Sequence, residues 1–208
     1  LFDEFREIPL IAISESQRRF FPDLRWLATI HHRLPLEGVP FSETPGGYLA
    51  FLGRISPEKR PDRAIEIAKA AGVPLKIAAK VDAADRGYFE TCIRPLLDHP
   101  LIEFVGEIGD AEKSAFLGGA RALLFPIDWP EPFGLVMIEA MACGTPVIAW
   151  RCGAVPEVVQ HGVSGLVVDA MDEAVKAVRS IENLSRPRVR PAFDARFTAH
   201  AMAERDAR

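Results

Sequence analysis

Residues 48–79 read YLAFLGRISPEKRPDRAIEIAKAAGVPLKIAA, and this stretch decides the fold class. Tyr48 to Leu52 is a short unbroken apolar run, the pattern of a strand covered on both faces. Pro61 to Ala71 carries Ala64, Ile65, Ala68 and Ala71 at helical spacing, opens on proline and stops before Gly72, so both helix ends are marked. Leu75 to Ala79 reads as the second strand. Strand, helix and strand in this order make parallel strands joined by a crossover helix.

The alternation continues outward from there. The pattern predicts a helix over 86–97, a strand over 102–105, a short helix over 110–117 and a strand over 122–126. A helix over 133–142 ending at Gly144, a strand over 146–150, a short helix over 155–160, a strand over 165–168 and a helix over 171–181 complete it. The fold class is therefore α/β, a doubly wound parallel sheet of about six strands. Before it, residues 9–14 read as a strand, 15–21 as a helical turn or two, and 26–40 as a strand passing into a Pro-rich connection. Residues 35–45 are the best linker. After it, Ser185 to Pro191 interrupts the pattern with three Arg and two Pro, and 192–208 reads as a polar helix with few apolar positions.

Composition narrows the class of protein. The 208 residues are 49% hydrophobic and 26% charged, as in an ordinary globular protein, which excludes collagen-like, disordered and disulfide-scaffold chains. Twenty-five Lys plus Arg against 29 Asp plus Glu leave a net charge of −4 with no basic cluster, so the chain is not read as a nucleic-acid binder. No apolar run has the length of a membrane span, and the expected location is cytoplasmic. Cys92, Cys143 and Cys152 lack metal-ligand or disulfide spacing and are expected to be reduced. No metal site is expected.

Ligands of an open parallel sheet bind beyond the carboxyl ends of the strands, so the segments following each strand are the ones to search. Arg54 and Lys59 follow the first strand, and a guanidinium fork with an ammonium suits a diphosphate; two solvated cations are the blander alternative. The block Glu131-Pro-Phe-Gly-Leu-Val-Met-Ile-Glu139 carries more. A helix beginning near Phe133 offers the N–H groups of Phe133, Gly134 and Leu135 to an anion, and Gly134 permits close approach. Leu135 and Glu139, four apart, share a face, while Glu131 lies outside the helix, so two carboxylates bracket one phosphate site. Carboxylates accept sugar hydroxyls. A diphosphate flanked by hydroxylated rings is a nucleotide sugar. The alternative is an exposed Glu131 and a Glu139 paired to a structural cation.

Gly53-Arg54 with Lys59, Phe104-Val-Gly106, Glu131-Pro-Phe-Gly with Glu139-Ala-Met-Ala-Cys-Gly-Thr-Pro146, and Gly153-Ala-Val-Pro-Glu157 with Gly162 and Gly165 resemble the sugar-donor-binding half of retaining glycosyltransferases of family four. That resemblance implies one Rossmann-like half of the two-domain GT-B fold, with residues 46–184 as the nucleotide-sugar domain. Residues 1–45 would be the remnant of the N-terminal acceptor domain and the connection, and 185–208 a linker and crossing helix. It also implies roles. Arg54 and Lys59 would neutralise the departing diphosphate and Glu131 would contact the donor sugar, these three being the catalytic set. Gly53, Phe133, Gly134 and Leu135 would contact phosphate and sugar, Glu139 the ribose hydroxyls, and the backbone near Ile108 the base. The reaction implied is transfer of a hexose from a UDP- or GDP-linked sugar to a glycan or lipid-linked acceptor, with retention and without metal or other cofactor, in line with the missing Asp-x-Asp motif.

Two departures from the family stand out. Relatives commonly place Gly after the diphosphate lysine, where this chain has Arg60-Pro61, and the glycine-rich turn after the second strand is here Ala79-Lys80-Val-Asp82. Lys80 is either a further phosphate or base contact or a solvated lysine. Because about ten residues precede Ile11-Ala-Ile-Ser14, the partner expected is the acceptor domain, and slow or no transfer is expected without it. Peripheral membrane association of the whole protein stays open. A dehydrogenase or a P-loop enzyme is disfavoured, since neither glycine-rich phosphate signature follows a strand. Half of a split transferase and a sugar-nucleotide epimerase remain alternatives. His31, His32 and Trp129 have either a place at the cleft or a packing role.

Overall fold

The structure, a computed structural model, describes residues 7–35 and 39–198. Its main sheet is built from β3 (Tyr48–Arg54), β4 (Leu75–Lys80), β5 (Ile102–Gly106), β6 (Ala120–Phe125), β7 (Val147–Trp150) and β8 (Gly165–Val168). All pairings are parallel, in the order β5-β4-β3-β6-β7-β8, as the alternating pattern requires. Winding starts at the centre and runs outward on both sides, so β3 and β6 flank the topological switch point.

Strand side chains point alternately to two faces, and each face has its own core. Leu123, Phe125 and Val147 pack with Met137, Ile138, Met141 and Phe193 on one side. On the other, Leu49, Ile77, Leu124 and Ile148 pack with Ile65, Ala68 and Val178. The first face is covered by α4 (Asp110–Gly118), α5 (Leu135–Ala142) and α8 (Arg186–Phe197), the second by α2 (Pro61–Ala71) and α7 (Met171–Ser180). Each fully buried Leu or Ile in these layers contributes about 1.5–3 kcal/mol of transfer free energy.

Several boundaries differ from the sequence reading. Strand β3 runs two residues further than expected, placing Gly53 and Arg54 in the strand, paired with Ala79 and Lys80, rather than in the loop. The expected helix over 86–97 is irregular: α3 (Arg86–Tyr88) passes into a π turn and then a 3-10 turn containing Pro95. Proline lacks the N–H that a regular ladder needs. The largest difference is at the end, where the interruption expected at Ser185 to Pro191 is the first half of α8. Its Val189, Phe193 and Phe197, four apart, are fully buried, and Pro187 sits in the first turn where no N–H is required. Its arginines serve the packing, Arg190 Nη1 donating to Ala142 O at 2.8 Å and Arg196 Nη1 to Val158 O at 3.1 Å, carbonyls at the ends of α5 and of α6 (Val155–Val158). The expected extension of this helix over 199–208 lies outside the described residues, as do 36–38 of the linker.

Residues 7–35 form a second, two-stranded parallel sheet of β1 (Leu10–Ala12) and β2 (Trp26–Thr29) joined by α1 (Glu15–Phe20). The N-cap Ser14 accepts from Gln17 N, and the carboxylate of Glu157 accepts from the N–H groups of Glu15 and Ser16, both at 2.7 Å. That carboxylate, set at the positive end of a helix, ties α1 to the main sheet's loops. Ile11 and Leu27 of this small sheet stay 55% and 62% exposed.

Candidate functional site

At the carboxyl ends of β3 and β6 a cavity of about 370 Å³ opens, bounded by Gly53, Lys59, Phe125, Glu131 and the turn Phe133–Leu135. Lys59 ends the 3-10 turn Pro57–Lys59, and its ammonium is ion-paired with Glu131. The same ammonium lies 5.5 Å from the Trp129 ring and 5.8 Å from that of Phe125. Trp129 Nε1 donates to the same Glu131 oxygen at 3.0 Å. Both charged side chains are largely shielded, so each needs the other. An anion that displaces Glu131 from Lys59, and a hydroxyl donor that takes the freed carboxylate, would together replace the pair like for like.

Gly134 shapes the anion side of the cavity. It sits at φ +83° as the N-cap of α5, where a Cβ would meet Met137 Cε at 2.7 Å and Phe125 Cζ at 3.0 Å. This moves the helix start from the expected Phe133 to Leu135: Phe133 is buried, and the N-terminal N–H groups are those of Leu135 and Val136. Its ring packs against His31 at 5.7 Å, His32 at 5.1 Å and Phe197 at 6.0 Å. Phe133 therefore lines the cavity as a wall rather than opening the helix.

Glu139 lies one turn along α5 from Leu135, as the spacing required, and lines a second cavity, of about 430 Å³, together with Asp110 and Lys113. Lys113 Nζ is 2.7 Å from Asp110 and 4.0 Å from Glu139. Burial pushes the Glu139 carboxyl above the usual range, Lys113 opposing and Asp110 adding to the shift. Lys113 escaped the sequence reading, because only the packing of α4 on α5 sets it opposite Glu139.

Not every expected residue converges. Arg54, half exposed, turns its guanidinium to Glu58 at 2.6 Å, Asp85 at 3.6 Å and Asp82 at 3.9 Å, and lies outside both cavities. Ile108 lines neither cavity. Lys80 is exposed and pairs with Asp82 at 2.9 Å. His32 lines the first cavity, whereas His31 Nε2 lies 3.4 Å from Glu157. Trp129 both packs in its loop and holds Glu131, and its carbonyl accepts from the Cys152 thiol at 3.0 Å. Among the described residues no cluster of His, Cys, Asp and Glu could hold a metal ion.

With this geometry in view, comparison with known proteins is decisive, since the family described as glycosyl transferases group 1 matches residues 40–196. The chain belongs to that family. A D-inositol 3-phosphate glycosyltransferase of Mycolicibacterium smegmatis is 34% identical over 159 residues, which is 75% of this chain and 36% of the relative. An N-acetyl-alpha-D-glucosaminyl L-malate synthase of Bacillus anthracis is 34% identical over 114 residues, 52% of this chain and 30% of that one. Alr3699/HepE of Anabaena, crystallised in complex with UDP and glucose, superposes with a TM-score of 0.79 at 20% identity, covering 95% of this chain and 61% of that chain. Sucrose-phosphate synthase of Thermosynechococcus elongatus gives 0.79 at 22% identity, covering 96% and 56%. These neighbours establish the GT-B-type Rossmann-like fold expected from the motifs. The group 1 chain described here spans about a third of the length of these curated relatives. No described helix is long and apolar enough to cross a membrane.

Proposed function

We propose that this group 1 glycosyltransferase chain is the nucleotide-sugar-binding part of a retaining hexosyltransferase that uses a UDP- or GDP-linked sugar and a glycan or lipid-linked acceptor. The observation that carries the reading is the convergence of Lys59, Glu131 and Gly134 on one cavity at the switch point, with Glu139 one turn along the helix that Gly134 caps. Lys59 meets the diphosphate, Glu131 the transferred sugar, the turn Gly134–Leu135 a phosphate, and Glu139 the ribose. Ile108 contacts the base, and Arg54 joins the diphosphate once released from its three carboxylates; Gly53 leaves the cavity floor open. The Anabaena structural neighbour, crystallised in complex with UDP and glucose, supports a nucleotide ligand for this fold. Residues 46–184 act as this domain, 1–45 and 185–208 as its connections to an acceptor domain. The uncovered Ile11 and Leu27 mark where that domain would continue the small sheet. Transfer by this chain alone is slow or absent on this reading. On this reading Lys59 and the N-terminus of α5 supply positive charge for the leaving diphosphate.

Calorimetric titration with UDP, GDP and ADP tests the reading. One nucleotide binds, and Glu139→Gln weakens it roughly 10- to 100-fold, the scale of hydrogen bonds to a charged acceptor. No binding of any of the three at millimolar concentration would overturn the reading. The same substitution carries a stability signature. Because the folded carboxyl takes up a proton more readily than the unfolded one, its contribution is full below the usual glutamate range and lost as pH rises through the raised value. Glu139→Gln is therefore expected to melt higher than the unsubstituted chain at neutral pH, the gap closing near about pH 4. A gap that does not change with pH would contradict this.

A further inference from the structure

Among the described residues Arg60 is the only one other than glycine with a left-handed backbone, at φ 54° and ψ 52°. A side chain in that region costs roughly 1–2 kcal/mol, so something must hold it there. Arg60 stands between the turn that ends in Lys59 and the first residue of α2: its N–H donates to Pro57 O at 3.3 Å, and its own carbonyl accepts from Ala64 N at 3.2 Å. Its guanidinium then grips both sides of the site. Nε and Nη2 donate to the Asp62 carboxylate at 2.8–3.1 Å, and Nη1 donates to Asp128 at 2.8 Å. Asp128 belongs to the loop that carries Glu131, and its N–H donates to Glu58 O at 2.9 Å. Arg63 completes the tie, donating to Pro126 O at 2.9 Å and to Asp128 at 3.3 Å.

We infer that Arg60 is a positioning residue: by pinning the loop after β3 to the loop after β6, it holds the Lys59 ammonium where a nucleoside diphosphate is received. The inference rests on the donor-site reading above, and Arg60 itself lines neither cavity. Glycine at this position would give the same backbone without the clamp. The chain has instead a strained residue whose fork spans two loops, a geometry that a lysine cannot reproduce.

The test compares UDP with UMP by calorimetry, then the guanosine and adenosine pairs, on the unsubstituted chain and on Arg60→Gly, Asp128→Asn and Lys59→Ala. Arg60→Gly keeps the backbone available, so the comparison is not confounded by strain. Lys59→Ala is expected to abolish the preference for diphosphate over monophosphate. Arg60→Gly and Asp128→Asn, which break the clamp from opposite ends, are expected to cut diphosphate affinity about 5- to 20-fold, part of the roughly 10- to 100-fold that a charge-assisted hydrogen bond supplies. Monophosphate affinity should stay within about twofold. A general loosening would lower both affinities together and would overturn the inference, as would an unchanged preference in Arg60→Gly while Lys59→Ala loses it; in both cases the donor site survives. If the unsubstituted chain binds none of these nucleotides, or shows no diphosphate preference, the donor-site reading falls and takes Arg60's role with it.

Discussion

Arg186→Ala is expected to destabilise the chain by about 3–5 kcal/mol, since each buried acceptor left unpaired costs roughly 1–3 kcal/mol. Arg186 is only 5% exposed and, among the described residues, is ion-paired with no carboxylate. Its guanidinium instead donates to Ser42 O at 2.7 Å, to Ala120 O, Gly118 O and Thr145 Oγ1 at 2.8 Å each, and more distantly to Cys143 O. These groups belong to the incoming connection, the turn between α4 and β6, and the turn after α5. One side chain thus satisfies the carbonyls where three segments meet, and burial, opposed by Cys143, pulls its affinity for the proton down. For a chain of this length the loss corresponds to a fall in melting temperature of roughly 6–20 °C. Arg186→Lys should recover part of it, because an ammonium reaches fewer of the acceptors. Chemical denaturation decides the matter: a loss under about 1 kcal/mol for the alanine variant would mean that water replaces the guanidinium.

Arg186 also shows why part of the fold was hidden in the sequence. Strands β3 to β8 are short, mainly apolar runs, with Lys76, Glu103 and Arg121 the charged residues inside them, and were legible as such; the order of winding follows from the crossovers. In α8 the apolar positions Val189, Phe193 and Phe197 are spaced by four, but Arg190, Pro191 and Arg196 stand between them, and the reading of a break followed. Those arginines are buried or folded over helix ends, a role that depends on carbonyls far away in sequence. The site divides in the same way. The strand-end rule found Lys59 and Glu131, yet their mutual pairing across 72 positions is tertiary information. Arg54 carried the right chemistry for a diphosphate, and the sequence could not say that Glu58, Asp82 and Asp85 would surround it. The departure at Arg60 was visible as a residue, whereas its left-handed backbone and its reach to Asp128 were not.

Gly153→Ala should damage both stability and binding, and the cause is the backbone of Glu131. Gly153 stands at φ +58°, in the turn between β7 and α6, and a Cβ there would overlap the Glu131 nitrogen and oxygen and lie 2.8 Å from the Pro130 carbonyl carbon. Backbone atoms cannot swing aside as a side-chain tip can. The segment Pro130–Glu131 would have to retreat, losing the bond from Ala154 N to Glu131 O at 2.9 Å and drawing the carboxylate away from Lys59. Left-handed strain costs roughly 1–2 kcal/mol and overpacking roughly 1–3 kcal/mol, so a combined loss of about 2–5 kcal/mol is expected. Nucleotide affinity should fall by at least about tenfold, because the ammonium loses both its place and the partner that holds it. Gly162→Ala is the control: its φ is +79°, yet nothing lies within 4 Å of the added carbon. It carries strain without intrusion and should cost about 1–2 kcal/mol while binding UDP as before. Melting curves and UDP titrations of the two variants side by side separate the effects. Equal losses of stability with equal retention of binding would show that Glu131 does not depend on the space that Gly153 leaves for it.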